Sequence, residues 1–405
     1  MMGYRSSSKF RAIAIILCLI ALLFQTGCWS KDEIEDLSII VGMGLDMANE
    51  TQLEEKLEKR GSNYQKKDIV TYTLQIVDKQ SEARSGDTKS DASAKPYLNV
   101  SETGDSLFEM IRQFSARLER PIIGHHMKVI VINESLSRRY AMNNLLSFML
   151  RDNDIRLNCL VVMSRGIARD VLEAKGKSII PAFRLFGMED NRYRTYKILP
   201  PMSLIKLEGK MNSKSSYLLQ NVIAVDGEVE FSGAAVIKGK TQKFRGRLSE
   251  EELLGVTWLK GDGKGGVVKS YDPKTKQVIT YELKSMKSKI VPYVEGSKIS
   301  FRVNIETEGR LIEEWLLTNE PIDENFLSKA EQSVEKEIKR LINLGLNKIQ
   351  KEYKTDVVGF GTKLSIKHPK VWKTVEEDWD EEFSGVPITY DVKVSIMETG
   401  SKQGH

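Results

Sequence analysis

The sequence predicts an α+β protein of more than one domain, with mostly antiparallel and mixed sheets flanked by helices. Three observations carry this. Short β-branched and aromatic runs, such as IVTYTLQIV at 69–77, are interspersed with helical patterns along the whole chain. Two-residue turn signals, Asp226-Gly227 foremost, join neighbouring runs as hairpins and favour antiparallel pairing. From about Ile322 to Tyr353, Phe326, Ala330, Val334, Ile338, Leu341, Gly345 and Ile349 recur by threes and fours. That spacing marks one face of a single long amphipathic C-terminal helix. At 405 residues the chain exceeds one ordinary domain.

The first 27 residues stand apart. Arg5, Lys9 and Arg11 precede an uncharged run from Ala12 to Phe24, and Gln25-Thr26-Gly27 leads to Cys28. This is a secretory signal layout whose apolar run is too short for a comfortable membrane span. A cysteine after small residues is the pattern of a bacterial lipobox, although Gln25 stands where Leu is usual. Cys28 is therefore the expected lipid site, carrying diacylglyceryl and N-acyl chains that together hold far better than one chain. No other cofactor is expected.

The remaining elements follow in order. A strand is expected at about 37–46, a charged connection after it, strands at 69–77 and around PYLNVSE, and an exposed loop at 80–95. Leu107, Met110, Ile111, Phe114 and Leu118 share a helical face. KVIVIN (128–133) and RLNCLVVMS (156–164) are strands, separated by a helix from Glu134 to Leu150 and followed by a short helix from Gly166 to Ala174. The pattern weakens at 176–215, with Pro181, Pro200 and Pro201, so the expected regions are 28–205, possibly two lobes, and 206–402. Beyond it come the Asp226-Gly227 hairpin, a helix at 248–259 opened by a Ser249/Glu252 capping box, and a hairpin turning at Asp272-Pro273. An alternating strand KISFRVNIETEGRLIEE leads to the long helix, and PITYDVKVSIM closes the chain.

Charge and chemistry exclude much. The formal charge is +5, and removing the three leader cations leaves +2, so no nucleic-acid partner follows. Cys159 sits in an apolar strand and reads as a packing residue. There is no H-E-x-x-H, no G-x-S-x-G and no Walker A loop. Gly261 to Gly266 spell G-x-G-x-x-G, but a helix precedes and a strand follows, the reverse of a dinucleotide site. His125-His126, read as strand neighbours, would face opposite ways and carry no attached carboxylates. The expected class is non-enzymatic.

Cys28-Trp29, Glu33 and the run ending Gly42-Met43-Gly44-Leu45-Asp46 resemble the start of the Ger(x)C spore-germination lipoproteins, with Ser30 where that family has Asp. The likeness continues through Leu74 to Val77, His126-Met127-Lys128, Phe148-Met149-Leu150-Arg151-Asp152, Gly233 to Val236, Gly246 to Ser249, Asp356 to Gly361 and Trp379. It implies an elongated multi-domain α+β protein without catalytic activity. It also implies the C subunit of a nutrient germinant receptor, lipid-anchored on the outer face of the spore inner membrane beside integral A and B subunits. Trp29, Glu33, Gly42, Gly44, Asp46, His126, Lys128, Arg151, Asp152, Gly359 and Gly361 are its motif positions, structural or partner-contacting; Gly42 and Gly44 also suit close backbone packing in a buried strand. Two function classes are compatible: a subunit acting through assembly or signalling, and a lipoprotein that captures the nutrient itself.

Overall fold

The computed structural model describes residues 14–16, 37–61, 65–67, 69–77, 95–173, 179–272, 274–314 and 324–399. Cys28, Trp29 and Glu33 lie outside the described residues, as does nearly all of the 80–95 loop. The first sheet contains β1 (Ser38–Met47), β2 (Val70–Val77), β3 (Tyr97–Gly104), β4 (Ile122–Ile123), β5 (Val129–Asn133), β6 (Leu160–Ser164), β7 (Tyr217–Val225), β8 (Glu228–Lys238) and β9 (Lys243–Leu248). Its order is β3-β2-β1-β5-β6-β7-β8-β9, with β4 paired to β1.

The rims are antiparallel, as the hairpin signals predict. The middle is not: β1, β5, β6 and β7 run parallel. The chain returns over a helical layer after each of β5 and β6, and such crossovers bring the next strand back in the same sense. Every residue of β5 (VIVIN) and β6 (LVVMS) is buried, the signature of strands covered on both faces. One cover consists of α2 (Leu107–Phe114), α3 (Glu134–Arg139), α4 (Met142–Leu146) and α7 (Leu204–Asn212), which follow a short α1 (Gln52–Glu58). Their Met110, Phe114, Leu136, Leu146 and Leu207 pack on Met43, Leu45, Ile130, Ile132 and Met163. The other cover is α5 (Ala168–Val171) and α6 (Pro181–Met188), whose Ala168, Val171, Ala182 and Leu185 meet Val41, Val129, Val131 and Val162.

The single helix expected at 134–150 is broken. Tyr140 and Ala141 are extended, with ψ of 144° and 145°, because the Met142 amide turns away to donate to the Gln242 carbonyl at 2.7 Å. A contact from the far end of the sheet overrides local helical periodicity.

The second sheet is β10 (Gly266–Tyr271), β11 (Val278–Glu295), β12 (Lys298–Glu314) and β13 (Ile388–Thr399), in that order. β10 to β12 form antiparallel hairpins and β12 pairs parallel with β13. The crossover between them holds α9 (Glu324–Leu346), α10 (Phe360–Lys367), α11 (Pro369–Val375) and α12 (Trp379–Gly385). Before the sheet lies α8 (Glu250–Lys260), with the expected Ser249/Glu252 capping box. Two glycines let α8 and α9 cross backbone to backbone: a Cβ on Gly255 would run into the Leu341 carbonyl, and one on Gly345 would come within 2.6 Å of the Glu252 carbonyl. The long helix ends in a π turn, Asn347–Glu352. That turn aims the Gln350 amide inward, where Nε2 donates to the Phe383 and Val386 carbonyls at 2.8 and 2.7 Å.

The expected division at 205/206 falls short of β7, and the first sheet runs on through Leu248. Most of β7 and the second half of β8 are buried on both sides, while β9, at the edge of the sheet, keeps Lys243 and Arg245 exposed. Tyr217, Leu219, Ala235, Ile237 and Phe244 face the N-terminal core, whereas Leu218, Ala234, Val236 and Leu248 face the core of α8, α9 and the second sheet.

Ile338 on α9 is fully buried among these apolar side chains. Ile338→Asp should lose about 3–5 kcal/mol, because it buries an unpaired charge. Glu381, by contrast, is exposed and paired with Lys354 at 3.0 Å. Glu381→Gln should leave the denaturation midpoint essentially unchanged, because an exposed ion pair adds little. Chemical denaturation of the two variants checks both; an unchanged midpoint for Ile338→Asp would refute this core.

Candidate functional site

The motif residues gather in three places. The first is β1. Asp46 is buried, its Oδ1 accepting from the Ala168 amide at 2.7 Å and its Oδ2 from the Arg169 amide at 3.0 Å. This carboxylate holds the first turn of α5 over Gly44. Burial pushes its pKa up to about 6, against the lowering effect of those two amides. Gly42 and Gly44 leave room for the helices. A Cβ on Gly42 would sit 3.0 Å from the Ala182 Cβ and 3.1 Å from Leu172 Cδ2, and one on Gly44 would sit 3.4 Å from the Ala168 carbonyl carbon.

A residue within the Leu74–Val77 stretch of the resemblance, but not among its named motif positions, completes this bracket. Gln75 on β2 is buried; its Oε1 accepts from the Ala182 amide at 2.9 Å and its Nε2 donates to the Leu172 carbonyl at 2.7 Å. Asn99 on β3 donates to the same carbonyl at 2.8 Å. In sequence Gln75 is one polar residue in a β-branched run and reads as solvent-facing. The helix above it converts that side into core.

The second place is the end of the sheet where β1 and β5 begin. The Ser38 amide donates to the Pro121 carbonyl at 2.8 Å. His125 and His126 lie in a turn before β5 and are exposed, rather than alternating on a strand. His125 Nε2 lies 3.7 Å from Asp154 Oδ1. Asp152 Oδ1 accepts from the Asp154 amide at 2.9 Å, and Arg151 Nε donates to the Ser147 carbonyl at 3.0 Å. The Lys128 amide donates to the Val41 carbonyl at 2.8 Å, while its ammonium lies 5.3 Å from the Phe186 ring centre. His126, Lys128, Arg151 and Asp152 thus belong to one end of the molecule, the end from which the chain leads back toward Cys28.

The third is a buried knot around Asp356. Oδ1 accepts from the Gly359 amide at 2.8 Å; Oδ2 accepts from the Gly361 amide at 2.7 Å and from Trp379 Nε1 at 2.9 Å. Gly359 has φ +98°, a left-handed conformation suited to glycine. A Cβ on Gly361 would meet Trp379 Nε1 at 2.5 Å and the Trp372 ring at 2.9 Å. Trp372, Trp379, Phe301, Phe360 and Phe383 stack around this point with centroid separations of 5.0–6.2 Å.

A cleft of about 370 Å³ opens between α8, α9 and β10, lined by Tyr196, Tyr271, Lys269 and Arg340 among others. Its Arg340 is already held by Glu251 at 2.7 Å and Glu337 at 2.8 Å. Among the described residues, no group of three or more His, Cys, Asp or Glu is placed to hold a metal ion. No described helix is long and apolar enough to cross a membrane.

This two-sheet chain matches known proteins end to end. The family model described as "Spore germination protein N-terminal domain" matches residues 30–223, and "Spore germination B3/ GerAC like, C-terminal" matches 232–400. The two meet at the β7–β8 hairpin. The Bacillus subtilis "Spore germination protein YndF" is 42% identical over 98% of this chain and 99% of its own length. The chain belongs to the Ger(x)C spore-germination family. Another Ger(x)C relative, "Spore germination protein B3" of the same organism, is 29% identical over 98% of this chain and 99% of its own. A solved structure, "Crystal Structure of the GerBC protein", superposes with TM-score 0.59 at 26% identity, covering 88% of this chain and 97% of that one.

Two outcomes test the brackets. Asp46→Asn keeps one acceptor but turns an amide NH₂ toward the second backbone N–H, costing about 1–3 kcal/mol. Because the folded pKa of Asp46 lies above the unfolded one, the native state binds the proton more tightly. Its contribution is therefore most favourable at low pH and declines as pH rises from about 4 through about 6, by about 2–3 kcal/mol. Denaturation midpoints between pH 4 and 7 should fall with rising pH in the native protein and lack this slope in Asp46→Asn; parallel profiles would contradict the assignment. Gly361→Ala should cost about 2 kcal/mol through displacement of Trp379, read as a red shift of tryptophan emission and a lower Tm.

Proposed function

We propose that this protein is the membrane-anchored C subunit of a nutrient germinant receptor, held outside the cytoplasmic membrane by lipid on Cys28. It acts through assembly and signalling with two integral subunits, A and B, of the same receptor. The observation that carries this reading is the coincidence of full-length kinship with a leader that ends at Cys28, ten positions before Ser38. The polar motif residues with buried partners, Asp46 and Asp356, are spent on holding backbone amides. Both carboxylates serve the fold, and the reading is a non-enzymatic one.

Mass spectrometry of the membrane-extracted protein should show an N-terminal acylated Cys28. Cys28→Ala should leave the protein in the soluble fraction and slow nutrient-triggered germination to the level of a gene deletion. An unmodified or uncleaved N-terminus would overturn the anchor. Calorimetry with amino acids and sugars should show no micromolar binding; tight binding would transfer the function to nutrient capture.

A further inference from the structure

Helix α6 buries one side and leaves the other bare. Pro181, Ala182 and Leu185 pack on the first sheet, whereas Phe183 is 44% exposed and Phe186 40%. Ile179, just before the helix, is 44% exposed. Single exposed apolar residues are ordinary; two phenyl rings on one eight-residue helix, with an isoleucine just before it, are a patch.

Its position gives the patch an occupant. α6 crosses β2, β1 and β5: Ala182 sits on Gln75 and Gly42, and Phe186 beside Lys128. The Lys128 amide bonds to the Val41 carbonyl, and Val41 is three residues, about 10 Å along a strand, from Ser38. Ser38 is ten positions from Cys28, a chain that spans at most about 35 Å. A lipid on Cys28 therefore keeps this end of the sheet within a short reach of the bilayer surface. The Lys128 ammonium lies over the Phe186 ring, 5.3 Å from its centre, an arrangement in which an amphipathic cation reaches headgroup phosphates while its neighbour enters the acyl boundary.

We infer that Ile179, Phe183 and Phe186 form a membrane-contact face that seats in the phospholipid headgroup–acyl boundary and fixes how the tethered protein stands on the bilayer. This rests on the anchoring reading above. A lipid tether alone leaves the body free to rotate. A second contact on the same end removes that freedom, so the two lobes are presented to integral subunits in one orientation.

The test uses the full lipidated chain in phosphatidylcholine vesicles. Phe183→Cys and Phe186→Cys each accept a nitroxide label at an exposed position, and Ile312→Cys, 44% exposed on β12, is the reference. Cys159 is buried and Cys28 acylated, so neither competes. Electron paramagnetic resonance should find the labels at 183 and 186 several-fold more accessible to oxygen than to an aqueous nickel complex, with the reverse at 312. Vesicle flotation is scored in the same samples. Flotation with water-exposed labels at both positions overturns the contact face and leaves the anchor standing. Loss of flotation overturns the anchor and the face with it. Labels that are water-exposed on vesicles yet immobilised in receptor-containing membranes assign the patch to a protein partner, which also overturns the lipid inference.

Discussion

Most of β7 and the second half of β8 have no solvent face, and the architecture depends on them. Their alternate side chains enter different cores: Leu219, Ala235 and Ile237 the first, Leu218, Ala234 and Val236 the second. A pleated strand presents successive residues to opposite faces. The run Ala234-Ala235-Val236-Ile237 can serve two cores only because all four are apolar and small enough for covers on both sides. Neither lobe can therefore bury its apolar surface without the other, so the two lobes are cooperative by construction.

Around this weld, the fold uses buried polar side chains as brackets. Asp46, Gln75 and Gln220 each accept hydrogen bonds from backbone amides of distant segments, with Gln220 taking the Leu199 amide at 2.8 Å and donating to the Gly233 carbonyl at 2.9 Å, and Asp356 ties two nearby amides to the Trp379 ring. A buried amide left unpaired costs about 1–3 kcal/mol, so each bracket makes one loop position strongly preferred. The glycines beside them, Gly42 and Gly361, remove the Cβ that would hold those segments away. The family motifs are thus pairs of a bracket and a gap.

Most elements were legible in the chain. The Asp226-Gly227 turn has both residues at positive φ, 53° and 77°, as a tight hairpin requires. The Ser249 capping box, the β12 run and the buried face of α9 all stand where the spacing puts them. Less legible was pairing. Hairpin signals speak only for neighbours in sequence, so they predict the antiparallel rims and say nothing of β1, β5, β6 and β7, which meet across long crossovers. The break at Tyr140-Ala141 was illegible for the same reason, since its cause is a carbonyl at Gln242.

The candidate site divides the same way. Sequence by itself determined the alternation of strands and helices and carries the Cys28 pattern and the set of motif residues, because these are local spacings of charge, size and hydrophobicity. Only the tertiary structure decided what the motif residues do. Asp46 became a clamp because α5 lies over β1, and Gln75 became core because α6 covers it. His126, Lys128, Arg151 and Asp152 came to lie at one end of the first sheet because β1 and β5 start side by side. Those outcomes depend on contacts between segments tens to more than a hundred residues apart, and no local pattern encodes which of them will meet.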